Sequence, residues 1–417
     1  MLYQMENQHG GDVYGGGITL DFSANTNPLG TPPGVLEAVC RALPQLYRYS
    51  DPYCRRLVQA IAGHEQVPAS YILCGNGAAD LIYTYCAALR PRTAVELAPT
   101  FVEYGAGLAQ VGCRVERYFL HQAQNFDVDE GFLPFLEEKK PEAVFLCTPN
   151  NPTGRLLPLP LLEWILQGCA AWGARVFLDE CFLDLTEDGV SAKALLAAHP
   201  ELLILKAFTK SYGMAGIRLG YCLCADSALL HRMASASQPW NVSSLAQSAG
   251  VAALTEQDFL QRTRSLVHTE RRWLTDNLTA LGFWVCPSQA NYLLFRGPRG
   301  LREGLLRQGL KEPELLRDIP LTPEQFSSPL LGRTFAALQR QHAQGQTVSF
   351  ASLGEEFTPQ EMSHLSQVAQ RRDTTLSDQA LKDYIRIITE EYANARLSGP
   401  EDLLRLAQRK KQMEHGG

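Results

Sequence analysis

Three short apolar runs constrain the fold of this chain more than any other feature. They cover residues 143–148, 175–182 and 202–207, and each is followed by polar or small residues. A strand that is apolar on both faces has to be covered on both faces, which is typical of a parallel sheet. Because these runs alternate with helical stretches, the sequence predicts an α/β fold with a mostly parallel central sheet flanked by helices.

Polar side chains stand where the predicted strands end. The ends of parallel strands are where ligands bind, and they carry Asn150, Asn151, Asp179, Glu180 and Lys210. A lysine at the end of a buried strand is partly desolvated, which lowers its pKa and favours Schiff-base formation. Taken alone, Lys210 is better explained as a lysine that buries only its stem. Its placement beside the other polar residues makes a functional role the better hypothesis.

The stretch Tyr71–Asp80 predicts a second feature of a binding site. A short strand leads into Gly75-Asn76-Gly77, and the residues from Asp80 onward have helical character. Small residues before a helix expose backbone N–H groups at the positive end of the helix dipole. This segment therefore predicts a phosphate-binding loop, although it lacks the fingerprints of dinucleotide and nucleoside-triphosphate loops.

Composition excludes several classes of function. The chain of 417 residues has a net charge of −6, which gives no indication of binding to nucleic acid or to an anionic membrane. No apolar run is long enough to span a bilayer, and the N-terminus does not read as a secretion signal. Eleven cysteines without metal-ligand spacing predict reduced thiols, no metal site and a cytoplasmic protein.

Six motifs in order resemble one known family, the pyridoxal-phosphate enzymes of the aspartate-aminotransferase fold (fold type I, aminotransferase class I/II). The resemblance runs from about His9 to Arg296. The motifs are Gly75–Asp80, Pro99–Tyr104, Thr148–Gly154, Leu178–Glu180, Thr209–Lys210 and Arg218–Gly220.

The resemblance implies a role for each matching residue. Lys210 would form the Schiff base with pyridoxal 5′-phosphate and then carry protons, and Asp179 would pair with the pyridine nitrogen. Tyr104 would stack on the ring, and Asn151 would bind the ring oxygen. Asn25 and Asn151 are the candidates for contacting the substrate. The residues implied for the cofactor phosphate are Gly77, Ala78, Ala79, Thr209, Arg218 and, from a neighbouring subunit, Tyr49, so a homodimer is expected.

Two subgroups of the family compete, and both act on phosphorylated amino substrates. The run Asp179-Glu-Cys-Phe182 looks more like threonine-phosphate decarboxylase of cobalamin biosynthesis, whereas histidinol-phosphate aminotransferases often have tyrosine at the position of Phe182. Decarboxylation of L-threonine-O-3-phosphate through Lys210 is therefore the first hypothesis. Amino transfer of the histidinol-phosphate type is the alternative.

The chain departs from the family pattern in two places. Ala207 stands where relatives often have a serine that donates to the phosphate. After about Leu310 the segment that carries the carboxylate-binding arginine is not found, and Arg296, Arg299, Arg302, Arg307 and Arg333 are the available substitutes. We therefore expect an N-terminal arm (1–30), a cofactor-binding large domain (31–260), an incomplete small domain (261–310) and an all-α segment (311–417).

The C-terminal segment resembles the helicase-binding region of bacterial replicative primase. Thr358 reads as a helix N-cap with Pro359 at the first helical position, and the apolar residues Leu381, Tyr384, Ile385 and Ile388 follow at helical spacing. This likeness implies contact with a replicative helicase. It also leaves a hypothesis of another class, in which a catalytically impaired pyridoxal-phosphate scaffold is fused to a helicase-docking module.

Overall fold

The computed structural model describes residues 24–297, apart from the side chain of Gln257. Asn25–Arg296 form one compact unit. The arm up to residue 23, the small domain beyond residue 297 and the predicted helices of 311–417 lie outside the described residues. Within residues 24–297, no helix has both the length and the apolar character that a membrane crossing requires.

A seven-stranded sheet forms the centre of this unit. Its strands are β1 (Ile72–Gly75), β2 (Thr93–Ala98), β3 (Arg114–Phe119), β4 (Ala143–Cys147), β5 (Arg175–Asp179), β6 (Leu202–Ala207) and β7 (Gly220–Cys224). Their spatial order is β1-β7-β6-β5-β4-β2-β3, and of these seven strands β7 runs in the opposite direction to the other six. The prediction of a mostly parallel sheet is thus confirmed, and the exception is β7, which follows β6 through a short connection that contains no crossover helix.

Helices cover both faces of the sheet. They are α1 (Pro33–Ala42), α2 (Arg55–Glu65), α3 (Ala78–Leu89), α4 (Val102–Gln110), α5 (Phe132–Lys139), α6 (Leu159–Ala171), the single turn α7 (Phe208–Ser211), α8 (Ser227–Ala236), α9 (Ser244–Ala253) and α10 (Gln257–Ala280). Several begin at residues with clear start signals. Asp226 caps α8 by accepting from the backbone of Ala228 and Leu229, and Ser243 caps α9. The two short strands β8 (Trp284–Val285) and β9 (Phe295–Arg296) pair with each other.

The apolar runs pack on both faces because successive strand residues point to opposite sides. In β4 every residue is buried. Val144 and Leu146 belong to one core cluster, whereas Phe145 packs in the other, where its ring stacks on Phe177 of β5 at 5.0 Å between centroids. This two-sided burial is the physical reason why these strands read as continuous apolar runs.

The run 175–182 is shorter as a strand than its sequence suggests. β5 ends at Asp179, because the backbone N–H of Cys181 donates to Asp179 Oδ1 at 2.8 Å and turns the chain. A short 3₁₀ turn, Leu183–Leu185, follows. The turn keeps both carboxylates, Asp179 and Glu180, at the edge of the sheet.

Removing the ring of Phe177 should test the importance of the packed face. We expect Phe177→Ala to lower the free energy of unfolding by about 3–5 kcal/mol, because it leaves a cavity beside Phe145. The matched control is Phe119→Ala on β3, whose side chain is 64% exposed and whose loss should change stability by less than about 1 kcal/mol. Urea unfolding followed by circular dichroism measures both. Equal losses for the two variants would contradict this account of the core.

Candidate cofactor site

The ends of β4, β5 and β6 bring the predicted site residues to one edge of the sheet. Cys147 pairs in register with Asp179, and Asp179 with Leu205. Lys210 lies on α7, the turn that directly follows β6. The acid and the lysine therefore meet because neighbouring strands end at the same level.

Asp179 is a buried carboxylate held by two donors. The Tyr104 hydroxyl donates to Oδ2 at 2.7 Å, and the backbone N–H of Cys181 donates to Oδ1. Burial raises the pKa of Asp179, and the hydrogen bonds and the charge of Lys210 oppose this shift without cancelling it. A cation placed against this carboxylate would offset the effect of burial. Asp179 is therefore suited to a protonated ring nitrogen.

Lys210 is an amine with few polar neighbours. Its Nζ lies 5.3 Å from the centre of the Phe182 ring, and it forms no ion pair with any residue between 24 and 297. Burial lowers the pKa of Lys210, with Arg218 acting in the same direction and Asp179 opposing it. A larger fraction of this amine is thus neutral near pH 8 than for an ordinary lysine, as nucleophilic attack requires.

The two asparagines after β4 differ in burial and in hydrogen bonding. Asn150 is buried, and its amide donates to the Pro99 carbonyl oxygen at 3.0 Å and accepts from the Thr100 hydroxyl at 2.9 Å. Asn151 is half-buried, and none of the side-chain hydrogen bonds within residues 24–297 involves its amide. Asn150 thus shapes the loop, while Asn151 has its donor and acceptor available for a ligand.

The N-terminus of α3 is the place where the sequence predicts a phosphate cradle. Gly77 precedes Ala78, the first residue of the helix, with φ +88°, and the N–H groups of the first turn have no partner within the helix. The guanidinium of Arg218 lies against this glycine, so that a Cβ there would come within 2.6 Å of Nη2. The exposed cation of Arg218 and the positive helix end face the same space, which favours a bound anion.

Four further predicted residues are Thr209, Asn25, Tyr49 and Tyr104. Thr209 precedes Lys210 on α7, and Asn25 is half-buried in the loop before α1. Tyr49 is 80% exposed and stacks on Trp240 at 4.5 Å, so its predicted role in a second subunit stays a prediction. Tyr104 is fully buried, with its hydroxyl on Asp179 and its ring 5.7 Å from that of Phe145. Its predicted stacking on the cofactor stays a prediction.

Sequence reasoning missed Tyr292. Its ring meets the edge of Phe182 at 4.9 Å, and its hydroxyl donates to the carbonyl oxygen of Asn150 at 3.1 Å. The surrounding segment is bonded to the loop after β4, since the backbone N–H of Gln289 donates to the Gly154 carbonyl oxygen at 2.8 Å. The motif around Tyr292 was assigned only to the start of the small domain, and nothing in its local pattern indicates contact with Phe182.

Arg296 is the only proposed substitute for the carboxylate-binding arginine within residues 24–297. It lies on β9, is exposed, and its Nη1 is 3.4 Å from Gln122 Oε1. Arg299, Arg302, Arg307 and Arg333 lie outside the described residues.

Comparison with known proteins places this arrangement in a family. The family model described as aminotransferase class I and II matches residues 18–330, about three quarters of the chain. The chain belongs to this family. Threonine-phosphate decarboxylase of Salmonella typhimurium is 40% identical over 281 residues, which are 67% of this chain and 77% of that protein. A histidinol-phosphate aminotransferase of Nitratidesulfovibrio vulgaris is 32% identical over 309 residues, 72% of this chain and 81% of that protein.

Solved structures of aminotransferases share the fold. The histidinol-phosphate aminotransferase from Sinorhizobium meliloti, solved in complex with pyridoxal 5′-phosphate, superposes with a TM-score of 0.63 at 22% identity, covering 70% of this chain and 79% of that one. The predicted fold, a type I pyridoxal-phosphate enzyme fold, is confirmed.

A second family model, the DnaB-like helicase N terminal domain, matches residues 303–390. The sequence prediction for this segment named the part of primase that docks on a helicase, and the matching model is that of a helicase's own N-terminal domain. The two family matches overlap between residues 303 and 330. The match to this second model begins close to the interruption predicted near Leu310.

The residues of this edge fit pyridoxal phosphate. The cradle of Gly77 and Arg218 suits its phosphate, Asp179 suits its ring nitrogen, and Lys210 offers an amine to its aldehyde. These three features lie on β5, on the β6–β7 connection and at the start of α3, so the fit depends on the sheet as a whole.

Gly77→Ala should weaken the binding of pyridoxal phosphate by about tenfold or more, because the added Cβ displaces Arg218 from the cradle. Gly112→Ala is the matched control. Gly112 also has a positive φ, +72°, but no atom of the described residues lies within 4 Å of its Cβ position. Both variants should lose about 1 kcal/mol of stability through backbone strain, and only Gly77→Ala should lose affinity in equilibrium dialysis. Equal affinity of the two variants would exclude this phosphate site.

Proposed function

We propose that this chain is a pyridoxal-phosphate-dependent enzyme that decarboxylates a phosphorylated amino acid of the threonine-phosphate type. The observation that carries the proposal is that a partly desolvated Lys210 and a buried Asp179 lie at the same edge of the sheet, close enough for each charge to shift the pKa of the other group, beside the cradle of Gly77 and Arg218. The 40% identity with threonine-phosphate decarboxylase supports the choice of substrate and reaction.

Each group of the site has a role in this proposal. When bound, pyridoxal phosphate supplies an aldehyde that condenses with an amine, with loss of one water, and a protonated ring that takes up the electron pair of a broken bond at Cα. Asp179 would hold the ring nitrogen, and Tyr104 orients Asp179 through its hydrogen bond. Lys210 would supply the amine that attaches the cofactor, and its Nζ would serve as the proton carrier beside Cα of the substrate.

The nature of the broken bond distinguishes decarboxylation from amino transfer. Loss of carbon dioxide requires that the bond from Cα to the carboxylate stands perpendicular to the ring. Amino transfer requires that the bond from Cα to hydrogen stands perpendicular to the ring. Phe182, the neighbour of Lys210, is apolar and offers no hydroxyl to the ring oxygen. Asn151 is then the side chain available to that oxygen, and Asn25 and Asn151 are the proposed substrate contacts.

Amino transfer of the histidinol-phosphate type is the second candidate. It is supported by a histidinol-phosphate aminotransferase that is 32% identical over 72% of this chain. One assay with the full chain separates the two. Carbon dioxide from phosphothreonine supports the decarboxylase, and glutamate formed from 2-oxoglutarate with histidinol phosphate supports the aminotransferase.

Lys210→Ala should abolish covalent attachment of the cofactor and lower turnover by at least about 10³-fold, because no other amine takes its place. Borohydride reduction followed by peptide mass spectrometry locates the attachment in the wild type. Lys140→Ala, which removes an exposed lysine, is the control and should behave as wild type. Attachment that persists in Lys210→Ala would exclude Lys210 as the reacting amine.

The lowered pKa of Lys210 predicts the pH dependence of that reaction. Only the neutral amine attacks the aldehyde, so the rate should rise with pH and level off once Lys210 is deprotonated. Because burial lowers the pKa of Lys210, the midpoint of this rise should lie below pH 10.5, the usual pKa of a lysine. Stopped-flow absorbance after mixing the cofactor-free protein with pyridoxal phosphate measures the profile. A midpoint at or above 10.5 would contradict the desolvation of Lys210.

The C-terminal match supports a further part of the proposal, which is contact with a replicative helicase. The supporting observation is the helicase-domain match over residues 303–390. Co-elution of the purified full chain with a purified bacterial replicative helicase in size-exclusion chromatography tests it. Separate elution at micromolar concentrations of both proteins would count against it. Homodimer formation, proposed from Tyr49, is measured in the same experiment by light scattering of the chain alone.

A further inference from the structure

A buried group of charges lies on the side of β6 away from Asp179. Its centre is Lys206, four residues before Lys210, with a side chain that is only 6% exposed. The Lys206 ammonium is 3.2 Å from Glu65 Oε1, 3.2 Å from Asp184 Oδ1 and 3.9 Å from Glu180 Oε2. Lys193 adds a second cation, 2.9 Å from Glu65 Oε2. We call these five residues the Lys206 cluster.

Other donors complete the hydrogen bonding of the carboxylates. The Tyr221 hydroxyl donates to Glu65, the Ser191 hydroxyl donates to Glu180 Oε2 at 2.7 Å, and the backbone N–H of Ala192 donates to Glu180 Oε1 at 2.8 Å. All four carboxylate oxygens of Glu65 and Glu180 therefore have a partner. A network satisfied in this way has one arrangement, which makes it a rigid support.

Burial acts on the charged groups of the cluster, and their neighbours decide the outcome. Burial raises the pKa of Glu180, and Lys206, the Ser191 hydroxyl and the backbone N–H of Ala192 oppose this shift without cancelling it. Burial would lower the pKa of Lys206, but the charges of Asp184, Glu65 and Glu180 outweigh it and raise the pKa above its usual value. Desolvation of Glu65 is in turn outweighed by Lys206, Tyr221 and Lys193, and the pKa of Glu65 falls to about 2. Lys206 thus stays a cation against which the carboxylates are held.

Two residues of this region are chain neighbours of the site residues. Glu180 follows Asp179, and Ser211 follows Lys210. The Ser211 hydroxyl donates to Asp184 Oδ2 at 2.8 Å, while Lys206 holds the other oxygen of Asp184. A continuous chain of contacts thus runs from Lys206 through Asp184 to the residue beside Lys210.

The other side of α7 is also tied down. The amide of Asn27 donates to the carbonyl oxygen of Ser211 at 2.7 Å and to the Thr263 hydroxyl at 2.9 Å. Ser211, the residue after Lys210, is therefore held by its carbonyl oxygen to the loop before α1 and by its hydroxyl to the Lys206 cluster. This double attachment leaves the Lys210 backbone little freedom to move relative to β6.

Net stabilisation by itself gives little reason for a buried group of charges such as this one. Buried ion pairs bring little net stabilisation, because desolvating the charges offsets their attraction, and apolar residues of the same size often serve as well. Nor does the cluster act on Lys210 mainly through its charge. The charged or polar groups that shift the pKa of Lys210 are Cys181, Asp179 and Arg218, none of which belongs to it. The contacts that the cluster makes with α7 through Asp184 and Ser211 are therefore its direct link to Lys210.

We propose that the Lys206 cluster is a positioning device that holds the α7 turn, and with it Lys210, at the distance from Asp179 that cofactor attachment requires. Lys206 fixes Asp184, and Asp184 fixes Ser211. Lys206, Asp184 and Ser211 are thus positioning residues that do not touch the reacting atoms. The inference rests on the proposed function, since it assigns these residues to the same pyridoxal-phosphate site.

Ser211→Ala tests the link without removing a buried charge. The matched control is Thr186→Val, which removes a buried hydroxyl from the segment after β5 that also carries Asp184. This hydroxyl donates to the Leu183 carbonyl oxygen at 2.7 Å and does not contact the cluster. Three quantities are measured on the full chain: the melting temperature without cofactor, the dissociation constant for pyridoxal phosphate, and the rate of borohydride-trapped attachment to Lys210.

We expect similar small losses of melting temperature in both variants. Only Ser211→Ala should also slow attachment, by about tenfold or more, since small displacements of a reacting group have effects of this size. Lys206→Met should slow attachment further, and Lys206→Arg, which keeps the cation, should restore most of the rate. Attachment in Ser211→Ala at the rate of Thr186→Val would overturn the inference. Failure of the wild type to react at all would instead reject the proposed function.

Discussion

The register between β4, β5 and β6 is the constraint on which the rest of the structure depends. It sets Cys147, Asp179 and Leu205 side by side, so that the segments after the three strands enter the same space. Because strand residues alternate between the two faces, a shift of β5 by one residue would turn Asp179 away from Lys210 and towards the other core. The continuous burial of β4 and β5 opposes such a shift, because it would expose apolar residues or bury polar ones. Core packing therefore keeps Asp179 on the side of the sheet that faces Lys210.

Burial at this edge shifts the pKa values of Asp179 and Lys210 in opposite directions. It raises the pKa of Asp179 and lowers the pKa of Lys210, so both are driven towards their neutral forms. A ligand with a cationic ring and an anionic phosphate complements this arrangement, because its ring charge compensates Asp179 and its phosphate compensates Arg218 and the start of α3. Burying Asp179 and Lys210 costs folding free energy, and a ligand with these charges would offset part of that cost.

The two faces of β6 carry different kinds of side chain. One face carries Leu203 and Leu205, which pack in the same core cluster as Tyr104. The opposite face carries the buried Leu202 and Ile204 and, near the end of the strand, Lys206 with its carboxylates. Through Asp184 and Ser211 the contacts of Lys206 extend to the turn after the strand.

The sequence by itself determined the mostly parallel sheet, because apolar runs are local patterns, and its short motifs predicted a phosphate site before α3 and roles for Lys210 and Asp179. Only the tertiary structure decided that Asn150 is bound within its loop while Asn151 is available, and that Tyr292 packs on Phe182. These contacts join residues distant in the chain, and their geometry depends on how whole elements pack. Packing of this kind leaves no periodic signal in either segment, so no reading of the local sequence could supply it.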